Sequence, residues 1–130
     1  MEGSINDMRI WIYKSDRSLN AASALFRMGY YAECISRSYY AVFYCLKALF
    51  LQDKITVNKP SAMLALLGKR YVQEGKLEPC YHKSLFYLFD LRFQFEYECQ
   101  NPDNIDLAKY AIETASSFIK EIKANLLKIA

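Results

Sequence analysis

The stretch Ser36–Phe50, SRSYYAVFYCLKALF, is apolar on nearly every side, broken only by Arg37 near its start and Lys47 near its end. A helix that buries one face needs an apolar stripe of roughly 100°. Ile35, Tyr39, Val42, Leu46 and Leu49 already supply that stripe, in the three-four alternation of a packed seam. Tyr40, Phe43, Tyr44, Phe50 and Leu51 form a second apolar set. A helix wrapped in this way must be covered by its own domain on one side and by something else on another. In a chain of 130 residues the simplest cover is a second copy, so this segment predicts a homodimer.

Helical periodicity continues on both sides. A first helix is predicted from about Ser4 to Met28, with Ile5, Met8, Ile12, Leu19, Ala22 and Phe26 in the seam and Ser15 as its one polar member. Gly29 follows where a left-handed residue closes a helix, and the doubly apolar helix runs from about Tyr31 to Gln52. Asp53–Lys59 reads as a loop, and Pro60 suits the first turn of a short third helix ending near Gln73. Glu78 and Pro79 open a fourth helix that reaches about Glu98. After the turn-forming run Cys99–Asp103, a fifth helix extends to about Leu127. Its Ala108, Ile112, Ala115, Ile119, Ile122, Leu126 and Ile129 hold one seam. Four long helices and one short one with brief connections predict an all-α, antiparallel up-down bundle, residues 1–130 forming one domain.

Composition narrows the function classes. A hydrophobic content of 53% with 24% charged residues is that of a folded globular chain. The net charge of +3 is too small to announce a nucleic-acid binder, and the local excess between Lys54 and Lys83 reads as a solvated face. Cys34, Cys45, Cys80 and Cys99 include no CxxC pair, and His82 stands alone, so no metal site is expected. No run is long and apolar enough to span a membrane. These features predict a cytoplasmic protein with free thiols and no cofactor.

Few polar residues stand where chemistry could be done. Arg37, one turn before Tyr39 and Tyr40, could hold a phosphate while the rings stack on a base, or pair with Glu33. Arg92, in the apolar run Phe89–Tyr97, could form a structural bridge to Glu96 or serve as an anion-binding group beside Tyr97. His82, at the start of the fourth helix, has no nucleophile placed by sequence for it to activate, and a partly exposed His without a role is expected.

Four motifs in register carry a family resemblance. Gly29-Tyr30-Tyr31, then Ser38-Tyr39-Tyr40-Ala41-Val42-Phe43 with Lys47-Ala48-Leu49, then Lys69-Arg70-Tyr71-Val72 with Gly75-Lys76-Leu77, then Leu91-Arg92 with Glu96-Tyr97 follow one another. In this order they resemble the HEPN domain, and more narrowly its small stand-alone prokaryotic branch with the SYYAxFxxxKALL signature. The likeness covers roughly residues 5 to 128. It implies a helical bundle that dimerises, and pairing with minimal nucleotidyltransferase proteins in toxin–antitoxin style operons. Some branches are metal-independent ribonucleases through an Arg-x(4–6)-His motif on the dimer groove. Here no Arg is followed by a His within that spacing, Ser61 stands where many relatives have His, and Glu96 replaces the usual Asp.

The sequence therefore predicts a homodimeric HEPN-type module that binds a nucleotide or RNA phosphate, or partners a minimal nucleotidyltransferase. Its groove would be lined by Arg92, Glu96 and Tyr97, with Arg37, Tyr39 and Tyr40 nearby. The alternatives are a ribonuclease with a degenerate site and a purely structural interaction protein.

Overall fold

The computed structural model describes residues 5–128. Helix α1 spans Ile5–Arg27, α2 Tyr31–Gln52, α3 Pro60–Leu67, α4 Pro79–Tyr97 and α5 Ile105–Asn125. No strand occurs among the described residues. The sequence-predicted Ser4 and Ile129 lie outside them. Gly29 adopts φ +85° at the α1–α2 corner, a conformation that a Cβ disfavours. Pro60 and Pro79 each occupy the first turn of their helix, where the missing N–H costs nothing. The Asn104 side chain accepts the Leu107 N–H and caps α5.

The third helix does not run unbroken to Gln73. It passes at Gly68–Val72 into a π-helical turn, in which the Gln73 N–H bonds the Gly68 carbonyl at 2.9 Å. The widened turn brings the Gly68 backbone against α4. A Cβ at Gly68 would lie 2.9 Å from Cε1 of His82. His82 is half-buried, and its Nε2 lies 2.7 Å from the Leu64 carbonyl oxygen. It thus clamps α3 to α4, which corrects the expectation of a histidine without a role.

Helix α2 is the centre of the bundle, packed by α1, α4 and α5. The protomer itself buries the first apolar set and only part of the second. Ile35, Tyr39, Val42, Leu46 and Leu49 are buried, as are Phe50 and Leu51, while Tyr40, Phe43 and Tyr44 are half-buried. Most of the cover that the sequence assigned to a second subunit thus comes from α1, α4 and α5 of the same chain. Two serines of α1 bind α2 closely, Ser15 Oγ donating to the Ala41 carbonyl at 2.7 Å and Ser18 Oγ to the Arg37 carbonyl at 2.8 Å. Lys47, almost fully buried, donates from Nζ to the Val57 carbonyl and to Asn58 Oδ1, and so fastens the α2–α3 loop.

Helix α4 leaves several large aromatic side chains uncovered. Leu85, Leu88 and Leu91 enter the core, while Phe86, Phe93 and Tyr97 remain 52%, 50% and 64% exposed. At that spacing the three aromatics share one side of the helix.

Candidate functional site

Arg92 leaves α4 toward α2 and sits in a cage of tyrosines. Its guanidinium carbon lies 4.4 Å from the ring centroid of Tyr39, 5.6 Å from that of Tyr40 and 5.8 Å from that of Tyr97. An Nη donates to the Tyr40 hydroxyl at 3.2 Å. Tyr39 is 2% exposed and packs edge-on against Phe89 and Tyr40, so its ring is the floor of the cage. It cannot stack on a bound base, the role the sequence allowed it. Tyr40 and Tyr97 form the rim.

Glu96, one turn along α4, brings Oε2 to 3.2 Å from Arg92 Nε and accepts the Ser36 hydroxyl at 2.8 Å. The ion pair is poorly aimed: Arg92 Nε is buried and has no hydrogen-bond partner. A buried N–H without an acceptor is costly. Burial works against the Arg92 charge, but the Tyr40 hydroxyl, Tyr39 and Glu96 outweigh it and hold the pKa above its usual value. Burial likewise pushes the Tyr39 phenol up to about 12, with Arg92 pulling the other way. At neutral pH the centre of the cage is thus a guanidinium on the neutral Tyr39 ring.

Arg37 does not pair with Glu33. Its guanidinium carbon stacks 4.7 Å from the Tyr40 ring centroid. All six residues named from the sequence therefore meet around Tyr40 and Arg92, Glu96 reaching the group through Arg92. His82 does not join them. It lies ten residues before Arg92 on the same helix, about 15 Å along the axis.

The sequence reading missed Ser36, which orients Glu96, and a second cluster on α1. There Lys14 Nζ lies 4.8 Å from the Trp11 ring centroid and 5.2 Å from that of Tyr44. The Trp11–Lys14 spacing on one helix face was the available signal. The basic segment after Lys54 is partly neutralised, since Arg70 lies 3.6 Å from Asp53 and Lys76 3.6 Å from Glu74. Among the described residues no cluster of His, Cys, Asp or Glu could hold a metal ion, the cysteines are free thiols, and no helix is long and apolar enough to cross a membrane.

Comparison with known proteins agrees with the motif order. The family model described as the HEPN domain matches residues 8–125. The chain is 30% identical over 115 residues to "Putative toxin MJ0605" of Methanocaldococcus jannaschii, covering 88% of this chain and 85% of that one. It is 27% identical over 116 residues to "Putative toxin MJ0142" of the same organism, covering 89% and 79%. A protein of Archaeoglobus fulgidus named "UPF0332 protein" is 26% identical over 119 residues, covering 92% and 94%.

Proposed function

The chain belongs to the HEPN domain family, and on that premise we propose that it is a toxin-like, homodimeric module that binds RNA or nucleotide phosphate through Arg92. The observation that carries this reading is the cage. A guanidinium held on aromatic faces has its orientation set without using up its in-plane N–H donors, and those donors match a phosphate. Glu96 holds the site closed to stray anions, and a phosphate that displaces it would satisfy the N–H groups it serves badly.

Exposed Phe86, Phe93 and Tyr97 support a homodimer that pairs through α4. Exposed aromatics on one helix face are what a subunit interface buries. Tyr97 belongs to both the stripe and the cage rim, so a second copy on α4 would lie beside Arg92 and form a groove with two guanidinium sites. The two relatives with toxin in their names support the toxin-like part. A toxin needs restraint, and the family resemblance makes a minimal nucleotidyltransferase protein the partner to seek.

The test is fluorescence anisotropy of a labelled single-stranded RNA with the purified protein and with Arg92→Ala. Arg92-dependent, saturable binding is expected. Binding that survives the substitution, or none by the wild type, overturns the assignment. RNA lengths followed in the same tubes separate binding from cleavage, and Arg92-dependent shortening would move the protein to the ribonuclease reading.

A further inference from the structure

A second basic cleft lies beside the cage, between α1 and α2. It encloses about 240 Å³ and is lined by Lys14, Arg17, Ser18, Ala21, Arg37 and Tyr44. Lys14 and Arg17 stand three apart on α1, and Arg37 and Tyr44 seven apart on α2, so each pair shares the side that faces the other helix. Three cations thus converge on one small hollow whose lining includes no carboxylate.

Among the described residues no ion pair involves Lys14, Arg17 or Arg37. Asp16, beside Arg17 in sequence, is held by Lys123 of α5 at 2.5 Å. Aromatic faces position two of the cations instead: Lys14 lies over Trp11 and Tyr44, and Arg37 over Tyr40. Such a face attracts a cation but accepts few of its N–H donors, which leaves those donors for an anion. Like charges gathered without acids repel one another, and an anion relieves that repulsion.

Arg37 links the cleft to the cage through Tyr40. Tyr40 receives the Arg37 guanidinium on its ring and the Arg92 N–H on its hydroxyl. We propose that the α1–α2 cleft is a second phosphate subsite, so that the ligand is a single-stranded RNA whose backbone passes from Arg92 over Tyr40 to Arg37, Arg17 and Lys14. This extends the function proposed above and rests on it. A basic track interleaved with aromatic rings is a form that binds single strands without reading their sequence.

The experiment measures uridine monophosphate and an oligouridylate of about ten nucleotides at several salt concentrations. The proteins are the wild type, Lys14→Gln/Arg17→Gln, Arg92→Ala, and Lys109→Gln/Lys120→Gln as an equal-charge control on α5. Both residues changed in the first variant are exposed on α1, and thermal melts establish that each protein is folded. The Lys14→Gln/Arg17→Gln protein is expected to bind the oligonucleotide roughly tenfold more weakly, with a salt slope shallower by about 0.7 for each phosphate it no longer neutralises. Its loss for uridine monophosphate should be smaller than its loss for the oligonucleotide, and the control should match wild type for both. Oligonucleotide affinity and slope unchanged in that variant, with Arg92→Ala still defective, overturn the subsite and leave the Arg92 site standing. An equal loss in the control, or a loss for uridine monophosphate as large as for the oligomer, overturns the track. Insensitivity to Arg92→Ala brings down the underlying site.

Discussion

Replacing Arg92 by Lys isolates what the tyrosine cage contributes, because the charge stays while the planar fork goes. The ammonium can still reach Glu96, but it cannot lie flat on Tyr39 and donate to Tyr40 together, as the guanidinium does at 4.4 Å and 3.2 Å. For stability the loss is one partly buried cation–π interaction, about 1 kcal/mol, and one hydrogen bond of about 1 kcal/mol. Part of it is regained as the buried, partnerless Nε disappears. A net loss of about 1 kcal/mol lowers the melting temperature by roughly 2–8 °C. For binding, one charge-assisted hydrogen bond is worth about 1.5–3 kcal/mol, which weakens the Kd by roughly ten- to a hundredfold. Anisotropy with a labelled single-stranded RNA reads the second effect and calorimetry the first. Arg92→Lys binding as tightly as wild type would show that a point charge suffices, and the argument from the cage would fail.

Four further outcomes follow from the same geometry. Glu96→Gln removes the carboxylate that pairs with Arg92, and RNA affinity measured by anisotropy should rise severalfold; a fall would mean that Glu96 is needed to hold the guanidinium in place. Phe86→Asp/Phe93→Asp changes two exposed aromatics of α4, so sedimentation should show two-chain wild type and a folded single-chain variant; an unchanged sedimentation coefficient excludes α4 as the interface. A colorimetric thiol reagent should modify exposed Cys80 and Cys99 at once and spare Cys34 and Cys45 until unfolding, burial having pushed the Cys45 thiol up to about 12; rapid modification of all the cysteines would contradict the packing of α2. Burial also raises Tyr39 to about 12. Its contribution is complete below the unfolded value of about 10 and falls as pH rises toward 12, by about 1.4 kcal/mol per unit. Lys47, its pKa lowered by burial, acts oppositely only up to its unfolded value of about 10.4. Urea titrations above that pH should show a steeper decline for wild type than for Tyr39→Phe, and equal slopes would remove the buried phenol from the account.

The bundle was legible because its helices carry their own punctuation. Gly29, Pro60 and Pro79 mark ends by backbone chemistry alone, and the α5 seam repeats long enough to exclude other readings. The π turn was not legible, since it depends on Gly68 letting α3 approach His82, a contact between segments. The two apolar faces of α2 were legible, but how much of them the same chain covers was not. Periodicity reports that two faces are greasy, but not that three helices of the same chain will cover one of them and part of the other. The bare side of α4 escaped notice for a related reason: Phe86 and Phe93 are interleaved with Leu85, Leu88 and Leu91, and only packing separates inward from outward. The six site residues were named from two segments whose meeting rests on an Arg92–Tyr40 hydrogen bond 52 residues apart in the chain. The α1 cations were passed over because no local pattern ties Lys14 to Arg37.

The most direct measurement is a heteronuclear NMR titration of the protein with single-stranded RNA, following the Arg92 Nε–Hε signal and the Tyr40 and Tyr97 rings. In the free protein that N–H has no hydrogen-bond partner. The account predicts a large, saturable shift of the Arg92 signal together with both rings, at the concentration where anisotropy saturates. RNA binding that leaves those three signals in place while resonances elsewhere move would contradict it.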